Sequence, residues 1–212
     1  MNIFASYKRL KEYVKMDLTP EDFAREFSLR SMSVESITHG RDKFENMVVG
    51  VIKEVKAHPK ADRLRIAVTD VGPRTVEIVC GGSNLEVGQK VFVALPGSKV
   101  RWHGEGELVE LAETEIRGVK SVGMICAPAE VGFDKLSPST SSGPSGGNMI
   151  WDLSSLTSSP AGTPIAQALE LDDTVFDIEI TTNRPDCMGI IGLAREAGAA
   201  VDAPFVTPTT TL

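Results

Sequence analysis

The chain has 212 residues, of which 42% are hydrophobic and 24% are charged. This ordinary globular composition allows one or two hydrophobic cores and excludes collagen-like, coiled-coil and disordered classes. The formal net charge is −7, and an acidic chain lacks the basic surface that usually marks a nucleic-acid-binding protein. The charge is uneven, however. Residues 1–135 contain 20 Lys or Arg and 20 Asp or Glu, whereas residues 136–212 contain 2 and 9, so the whole excess lies in the last third.

The N-terminus and the cysteines indicate a compartment. Residues 1–16 lack the apolar core of a signal peptide, and no run approaches the ~18 apolar residues of a membrane span. The cysteines, Cys80, Cys126 and Cys187, are odd in number and have no metal-ligand spacing. We therefore expect a reduced, cytoplasmic setting.

The N-terminal section predicts two helices and a strand. Residues 5–16 place Tyr7, Leu10 and Val14 on one helical face. A second helix is predicted to begin after Thr19, which suits the N-cap, with proline at the first helical position. Residues 34–37 form a candidate strand, and residues 38–46 a polar connector.

From residue 47 the chain becomes rich in Val and Ile, in short runs broken by Gly and Pro. This pattern is typical of a small sandwich or barrel. The predicted strands are 47–56, 64–71, 75–80, 90–95, 108–116 and 122–127.

The last third begins with a linker and returns to mixed elements. Residues 137–148 contain only Ser, Pro, Thr, Gly and Asn, a composition that cannot form a core. A short helix is predicted after Thr163-Pro164, and a half-buried strand over 176–180. A final helix, capped by Asn183, is predicted to bury one apolar face, formed by Cys187, Ile190, Ile191, Ala194 and Ala197.

No pattern in the chain predicts catalysis. The three histidines, His39, His58 and His103, lie outside any nucleophile-elbow or H-E-x-x-H context. There is no phosphate-binding P-loop and no clustered Cys/His set for a metal. We therefore predict no catalytic residue and no metal ligand, and we expect Cys80 to be a core residue.

The Val-rich section carries a more specific signal, a series of turn and strand motifs in fixed order over about 80 residues. They closely resemble the tRNA-binding OB-fold module of the phenylalanyl-tRNA synthetase β subunit, of the methionyl-tRNA synthetase extension and of free-standing tRNA-binding proteins. The matching positions are Val49-Gly50, His58-Pro59, Ala61-Asp62, Leu64, Val68, Asp70-Val71-Gly72, Ile78-Val79-Cys80-Gly81, Asn84, Gly88, Lys90-Val91, Arg117-Gly118-Val119, Ser121 and Gly123-Met124.

The sections that flank the Val-rich section distinguish among these three families. The capped N-terminal helix followed by Val34-Glu35 resembles the start of the bacterial phenylalanyl β subunit. Residues 182–187, Thr-Asn-Arg-Pro-Asp-Cys, resemble the T-P-N-R-P-D-C motif of the same family, with Thr181-Thr182 in place of its T-P. The resemblance to the β subunit thus covers nearly all of residues 1–204.

The resemblance implies an α+β fold with an inserted all-β domain. A five-stranded Greek-key OB barrel, residues 41–136, would interrupt a small split α+β domain. The halves of the split domain would be residues 1–40 and 149–204, with 137–148 as the Ser/Gly/Pro-rich loop and 205–212 as a tail.

The resemblance also implies a function in protein synthesis. The chain would be the tRNA-binding N-terminal portion of a β subunit that supports aminoacylation of phenylalanine tRNA. Its partners would be tRNA and the α subunit of a heterotetramer, with no membrane and no DNA. ATP and magnesium are expected only in the complete enzyme. Two alternatives stay open: a subunit-docking scaffold module, and a free-standing OB-fold tRNA-binding protein.

Candidate RNA-binding residues follow from the OB-fold, which presents loops and a strand face to RNA. Cationic side chains would meet phosphates, whereas hydroxyl and amide groups would meet sugars or base edges, and an aromatic ring would stack on a base. The candidates are His58, Lys60, Arg63, Ser83, Asn84, Trp102, Arg117, Lys120 and Ser121.

Overall fold

A computed structural model of the protein describes residues 1–133 and 149–207; the predicted linker 137–148 lies outside them. The chain divides into two compact units, one of Met1–Gly40 with Asp172–Leu212 and one of Arg41–Leu171.

Strands and helices alternate in short lengths along the described residues. The strands are β1 (Asn2–Ser6), β2 (Val34–His39), β3 (Met47–Ala57), β4 (Arg65–Asp70), β5 (Thr75–Cys80), β6 (Lys90–Ala94), β7 (Lys99–Arg101), β8 (Leu108–Glu110), β9 (Thr114–Ile116), β10 (Val119–Ser121), β11 (Met124–Ile125) and β12 (Thr174–Glu179). The α-helices are α1 (Tyr7–Tyr13), α2 (Pro20–Arg30), α3 (Ile165–Ala168) and α4 (Ile190–Ala200), and short 3₁₀ helices include Trp102–Gly104, Pro128–Val131 and Pro185–Met188.

The first unit is a three-stranded antiparallel sheet with helices packed on one face. The strand order is β1-β12-β2. Its core is aromatic: the Phe176 ring centroid lies 5.2 Å from that of Phe23 and 5.5 Å from that of Tyr7. Strand β12 is the central strand of this sheet, and its Phe176 packs on Tyr7 of α1 and on Phe23 of α2.

The N-terminal helix signals are largely confirmed. Helix α2 begins at Pro20, and the Thr19 hydroxyl accepts the Asp22 N–H at 3.1 Å, which satisfies one of the donors left open at a helix start. The predicted helix 5–16 is shorter, since residues 2–6 form β1 and Ser6 caps α1.

The predicted C-terminal helix is broken. Asn183 is not its cap: a 3₁₀ turn begins at Pro185, and Gly189, in extended conformation, precedes α4. Of the residues predicted to face inward, Cys187, Ala194 and Ala197 are buried, whereas Ile191 is 41% exposed and Leu193 is buried instead.

The second unit contains a nearly closed antiparallel barrel. Its five strands follow the order β11-β6-β3-β4-β5, and the Val122 N–H donates to the Glu77 carbonyl at 3.0 Å, which brings the chain just before β11 against the far edge strand. Strand β3 pairs with β6 and then with β4, and its register shifts between Ile52 and Glu54, a bulge that allows a strand to bend. The arrangement fits an OB-fold.

Gly50 lies where β3 passes close to its neighbours. A Cβ atom at this position would lie 2.4 Å from Cγ2 of Val93 and 2.8 Å from Cγ2 of Thr69. Since Val93 and Thr69 are buried, the absence of a side chain at Gly50 is what lets the barrel interior pack at this density.

Residues 149–171 pack on the barrel. The Leu153 N–H donates to the Lys90 carbonyl and the Val49 N–H to the Thr163 carbonyl. The Trp151 ring stacks on Phe92 at 5.6 Å and meets Phe133 at 4.9 Å. The family resemblance groups 149–171 with the split α+β domain, whereas these contacts place the segment in the barrel unit.

The sequence predicts some strands of the barrel unit more accurately than others. Strands β3 to β6 match the predicted runs within about two residues. The predicted strand 108–116 is two strands, β8 and β9, of separate hairpins, and β7 is an additional strand that pairs with β8.

We expect Phe176→Ala to lower the free energy of unfolding by about 3–5 kcal/mol, since it removes a fully buried aromatic ring from the sheet core. The matched control is Phe4→Ala on the neighbouring strand, because Phe4 is 78% exposed and its truncation is expected to change stability by less than about 0.5 kcal/mol. Urea denaturation followed by circular dichroism measures both. Equal destabilisation of the two variants would contradict the placement of the core.

Candidate nucleic-acid interface

His58 connects the loop after β3 to the β9–β10 hairpin. The side chain is only 6% exposed. Its Nδ1 accepts the Lys60 backbone N–H at 3.1 Å, and its Nε2 lies 3.1 Å from the Ile116 carbonyl oxygen. Because Nδ1 is an acceptor, the ring hydrogen lies on Nε2 and is donated to Ile116. The imidazole therefore joins residues 58–63 to the hairpin.

The hairpin turn brings a cation to an exposed tip. Arg117 and Gly118 have φ values of +51° and +89°, as a two-residue type I′ turn requires. A Cβ atom on Gly118 would lie 3.1 Å from Lys60 Nζ, so the Lys60 ammonium group lies directly over this turn. We call the surface formed by Lys60, Arg63, Arg117 and Lys120 the loop–hairpin surface.

The four cations of the loop–hairpin surface differ in their partners. All four side chains are exposed. Lys120 Nζ forms an ion pair with Glu113 at 2.6 Å, and this hydrogen bond lowers the pKa of Glu113. Within residues 1–133 and 149–207, no carboxylate pairs with Lys60, Arg63 or Arg117. Three positive charges are therefore available to an anion, and the fourth is shared with a carboxylate.

Ser121 holds the end of the hairpin to β5. Its hydroxyl accepts the Val79 N–H at 3.0 Å and donates to the Gly123 carbonyl at 3.2 Å. The side chain is buried, so its hydrogen-bonding groups are used inside the barrel.

Asn84 clips the returning segment onto the barrel. Its Oδ1 accepts the Ile150 N–H at 2.9 Å, and its Nδ2 donates to the Ile150 carbonyl at 3.1 Å. The side-chain amide thus pairs with a backbone as a neighbouring strand would. Ser83, one residue earlier, is exposed.

Trp102 lies on a different hairpin from Arg117. It follows β7, is 53% exposed, and meets His103 edge-on with ring centroids 5.9 Å apart. The structure therefore brings together His58, Lys60, Arg63, Arg117, Lys120 and Ser121 through one set of contacts, and places Ser83, Asn84 and Trp102 elsewhere on the unit. That any of the nine touches RNA stays a prediction.

The family motif at 182–187 forms a polar network in the first unit. The Arg184 guanidinium binds Asp186 at 3.0 Å and Glu196 at 2.7 Å, and it lowers the pKa of Asp186 to about 2. The Ser31 hydroxyl donates to Glu196 at 2.6 Å. The motif therefore ties the 3₁₀ turn to α4 and to the end of α2, and its polar groups are engaged within the unit.

Other kinds of site are not formed by the part of the chain that the structure describes. There, no group of three or more His, Cys, Asp or Glu side chains is placed to hold a metal ion, and no helix is long and apolar enough to cross a membrane. All three cysteines are buried and unpaired, and burial raises the pKa of the Cys80 thiol, as expected for a core residue.

Comparison with known proteins identifies the barrel. Residues 47–144 match the family model described as a putative tRNA-binding domain. The phenylalanine–tRNA ligase β subunit of Oceanobacillus iheyensis is 34% identical over 208 residues, covering 98% of this chain and 24% of that protein. The β subunit of Burkholderia pseudomallei is 37% identical over 205 residues, covering 94% of this chain and 23% of that protein.

Among solved structures, the C-terminal domain of Plasmodium vivax p43 is 29% identical, with a TM-score of 0.29, covering 38% of this chain and 44% of that chain.

The barrel section thus carries a match to a sequence family described as a putative tRNA-binding domain. Over nearly its whole length, the chain is homologous to the N-terminal portion of the phenylalanine–tRNA ligase β subunit. It spans about a quarter of the length of these relatives.

We expect Asn84→Ala to lower the free energy of unfolding by about 1–3 kcal/mol, because it removes both hydrogen bonds to Ile150 and leaves that backbone without its partner. The control Ser83→Ala changes an exposed hydroxyl on the same turn and is expected to cost less than about 0.5 kcal/mol. Chemical denaturation of both variants tests this, and an Asn84→Ala protein as stable as the control would refute the clip.

Proposed function

We propose that the loop–hairpin surface contacts tRNA phosphates and that this chain serves, with the rest of its protein, in phenylalanine–tRNA ligation. The proposal is carried by one observation: three exposed cations without carboxylate partners in the described residues stand on two loops that His58 holds together. They lie in a unit whose sequence matches a tRNA-binding family. Cations fixed on a rigid barrel neutralise phosphates and release their counterions.

The charge of the barrel section limits the strength of this contact. Residues 48–135 contain 12 Lys or Arg and 12 Asp or Glu, so no long-range positive field attracts RNA. The acids concentrate in residues 105–115, with Glu105, Glu107, Glu110, Glu113 and Glu115, whereas Lys60, Arg63 and Arg117 lie outside that stretch. We therefore expect short-range, loop-mediated contacts that fix the position of the RNA rather than read its sequence.

The buried candidates act by positioning. His58 and Ser121 use their hydrogen-bonding groups on Ile116, Lys60, Val79 and Gly123. Their role in the proposed function is to hold the two loops at a fixed separation. Ser83 and Trp102 remain proposed contacts from other parts of the unit, through a hydroxyl and an exposed aromatic face.

The wider setting follows from the homology. We propose that the barrel is an insertion in a split α+β domain, which the division of the chain into Met1–Gly40 with Asp172–Leu212 and Arg41–Leu171 supports. We further propose a cytoplasmic location and an α-subunit partner. Activation of the amino acid with ATP and magnesium is assigned to the complete enzyme, with no catalytic group in this chain.

The acidity of the last third favours a second candidate function. Residues 136–212 carry all of the net −7 charge, which suits docking on a basic protein surface. Co-purification with the α subunit in the absence of any tRNA binding would favour this docking module over RNA binding.

We expect the double variant Arg63→Gln/Arg117→Asn to bind tRNA more weakly and with a shallower salt dependence. The slope of log K against log salt is expected to fall by about one for each phosphate that the variant no longer neutralises. Asparagine is chosen at position 117 because it adopts positive φ more readily than other residues, so the turn keeps its shape. Filter binding of deacylated tRNA at several salt concentrations provides the measurement.

The control for this experiment is Lys53→Gln, which removes one cation away from the surface, since Lys53 already pairs with Asp70 at 3.3 Å. It is expected to leave affinity and slope close to wild type. If the control and the double variant weaken binding by the same factor, the loop–hairpin surface is not the contact.

We expect Glu113→Gln to strengthen tRNA binding about two- to fivefold, because it frees the Lys120 ammonium and removes a negative charge beside it. Glu86→Gln makes the same charge change where no lysine pairs with the carboxylate within the described residues, and it is expected to have a smaller effect. Unchanged or weaker binding by Glu113→Gln would remove Lys120 from the surface.

A further inference from the structure

A second cationic group lies at the opposite end of β3, in a cleft of about 270 Å³. Residue Met47, at the start of the strand, lines it, whereas the loop–hairpin surface follows the strand's end at Ala57. The charged lining includes Lys43, Lys99 and Arg101. In the regions covered by the structure, none of these three has a carboxylate partner within ion-pair distance.

Two of the cations are fixed by strand geometry. Lys99 and Arg101 flank the buried Val100 on β7, so their side chains leave the same face of the strand. Leu108, which lies opposite Arg101 in the β7–β8 register, is exposed and lines the same cleft. The cleft therefore has an apolar surface beside its positive charges.

The third cation is held by aromatic rings. Lys43 Nζ lies 5.5 Å from the Phe44 ring centroid and 5.7 Å from that of Phe133, distances at which an ammonium is attracted by the ring faces. A Cβ atom at Gly132 would lie 3.0 Å from the same Nζ. The glycine thus leaves the space in which the ammonium lies.

Carboxylates at the cleft are mostly engaged elsewhere. Asp42 pairs with Arg41 at 3.6 Å. Glu130 accepts the Ala127 N–H at 2.7 Å, and burial raises the pKa of Glu130. Glu45 is the remaining acid of the lining. The lining therefore holds three cations and three carboxylates, and two of the carboxylates, Asp42 and Glu130, are already bound to Arg41 and to the Ala127 N–H.

We propose that this cleft binds a nucleoside phosphate, with Lys43, Lys99 and Arg101 on the phosphate and Leu108 against the sugar. Its volume is just below the range of about 300–1,000 Å³ found for pockets of drug-sized ligands. It therefore accommodates a sugar phosphate, while the base extends outside towards Trp102, the residue directly after Arg101. The phosphate belongs either to a free nucleotide or to an RNA strand. The inference goes beyond the proposed function, since none of the cleft cations belongs to the loop–hairpin surface.

Tryptophan fluorescence tests the proposal, with AMP as the probe. Trp102 is exposed and Trp151 is buried, so quenching by AMP reports on Trp102, and Trp102→Phe is expected to abolish the signal. Adenosine, which lacks the phosphate, is expected to bind at least about tenfold more weakly. Equal binding of adenosine and AMP, or no binding of AMP, would overturn the proposal.

Variants locate the binding. Lys99→Gln/Arg101→Gln and, separately, Lys43→Gln are expected to weaken AMP binding about tenfold. These side chains are exposed, so both proteins should keep the wild-type circular dichroism spectrum. Lys53→Gln is the charge-matched control for Lys43→Gln. Wild-type affinity in both cleft variants would place the nucleotide elsewhere and refute the site.

Competition distinguishes the two sources of the phosphate. If a five-nucleotide single-stranded RNA displaces AMP, the cleft takes an RNA strand; if AMP binds but the RNA does not displace it, the cleft takes a free nucleotide. Loss of tRNA binding in Arg63→Gln/Arg117→Asn together with retained AMP binding would separate this site from the proposed tRNA surface.

Discussion

The bonds that draw residues 121–122 onto β5 determine the rest of the barrel. The Val122 N–H donates to Glu77 and the Val79 N–H donates to Ser121, so the last barrel strand starts against the edge that is farthest from it in the sheet order. A sheet whose edges meet in this way leaves few unpaired edge groups. The same bonds fix the β9–β10 hairpin, and through His58 they fix the loop after β3. The hydrogen bonds that close the barrel therefore also fix the position of the candidate RNA-contacting cations.

Electrostatics within this unit is local rather than global. Among the described residues, three cations without carboxylate partners stand on the loop–hairpin surface and three more in the cleft at the other end of β3, although the section as a whole has equal numbers of acids and bases. At physiological salt, fields are screened over about 8 Å. A neutral unit with separated groups of like charge therefore offers short-range binding without strong steering. Such a unit favours the correct docked geometry over capture from a distance.

The sequence predicts those elements whose signals are local. Thr19 and Pro20 specify the start of α2, and the alternating Val and Ile runs specify β3 to β6. Of the three-residue strands, β8 and β9 fall within one predicted strand, 108–116, whereas β7 and β10 escape prediction, because the pairing of such short strands depends on which hairpin each joins. At the site, the order of motifs identifies the family. It does not show that the side chains of His58, Asn84 and Ser121 turn inward, because the sequence around a polar residue beside a turn is the same whether its side chain faces the barrel or the solvent. For the cleft, one feature of the sequence was informative: Lys99 and Arg101 stand on either side of the apolar Val100, which is the pattern of a strand with one buried face. For Lys43 there was no such feature, because its position over the Phe133 ring depends on a residue distant in the sequence.

The contact between Phe133 and Trp151, with ring centroids 4.9 Å apart, has a consequence for the evolution of the chain. This contact holds Phe133 and Trp151 side by side, and Asn84 also holds the neighbouring Ile150. Two points fixed side by side do not require a connection of any particular length, and the entropy of closing a loop grows only slowly with added residues. We therefore expect this position to tolerate insertions. A new segment or an engineered module can be added there without altering the register of any strand.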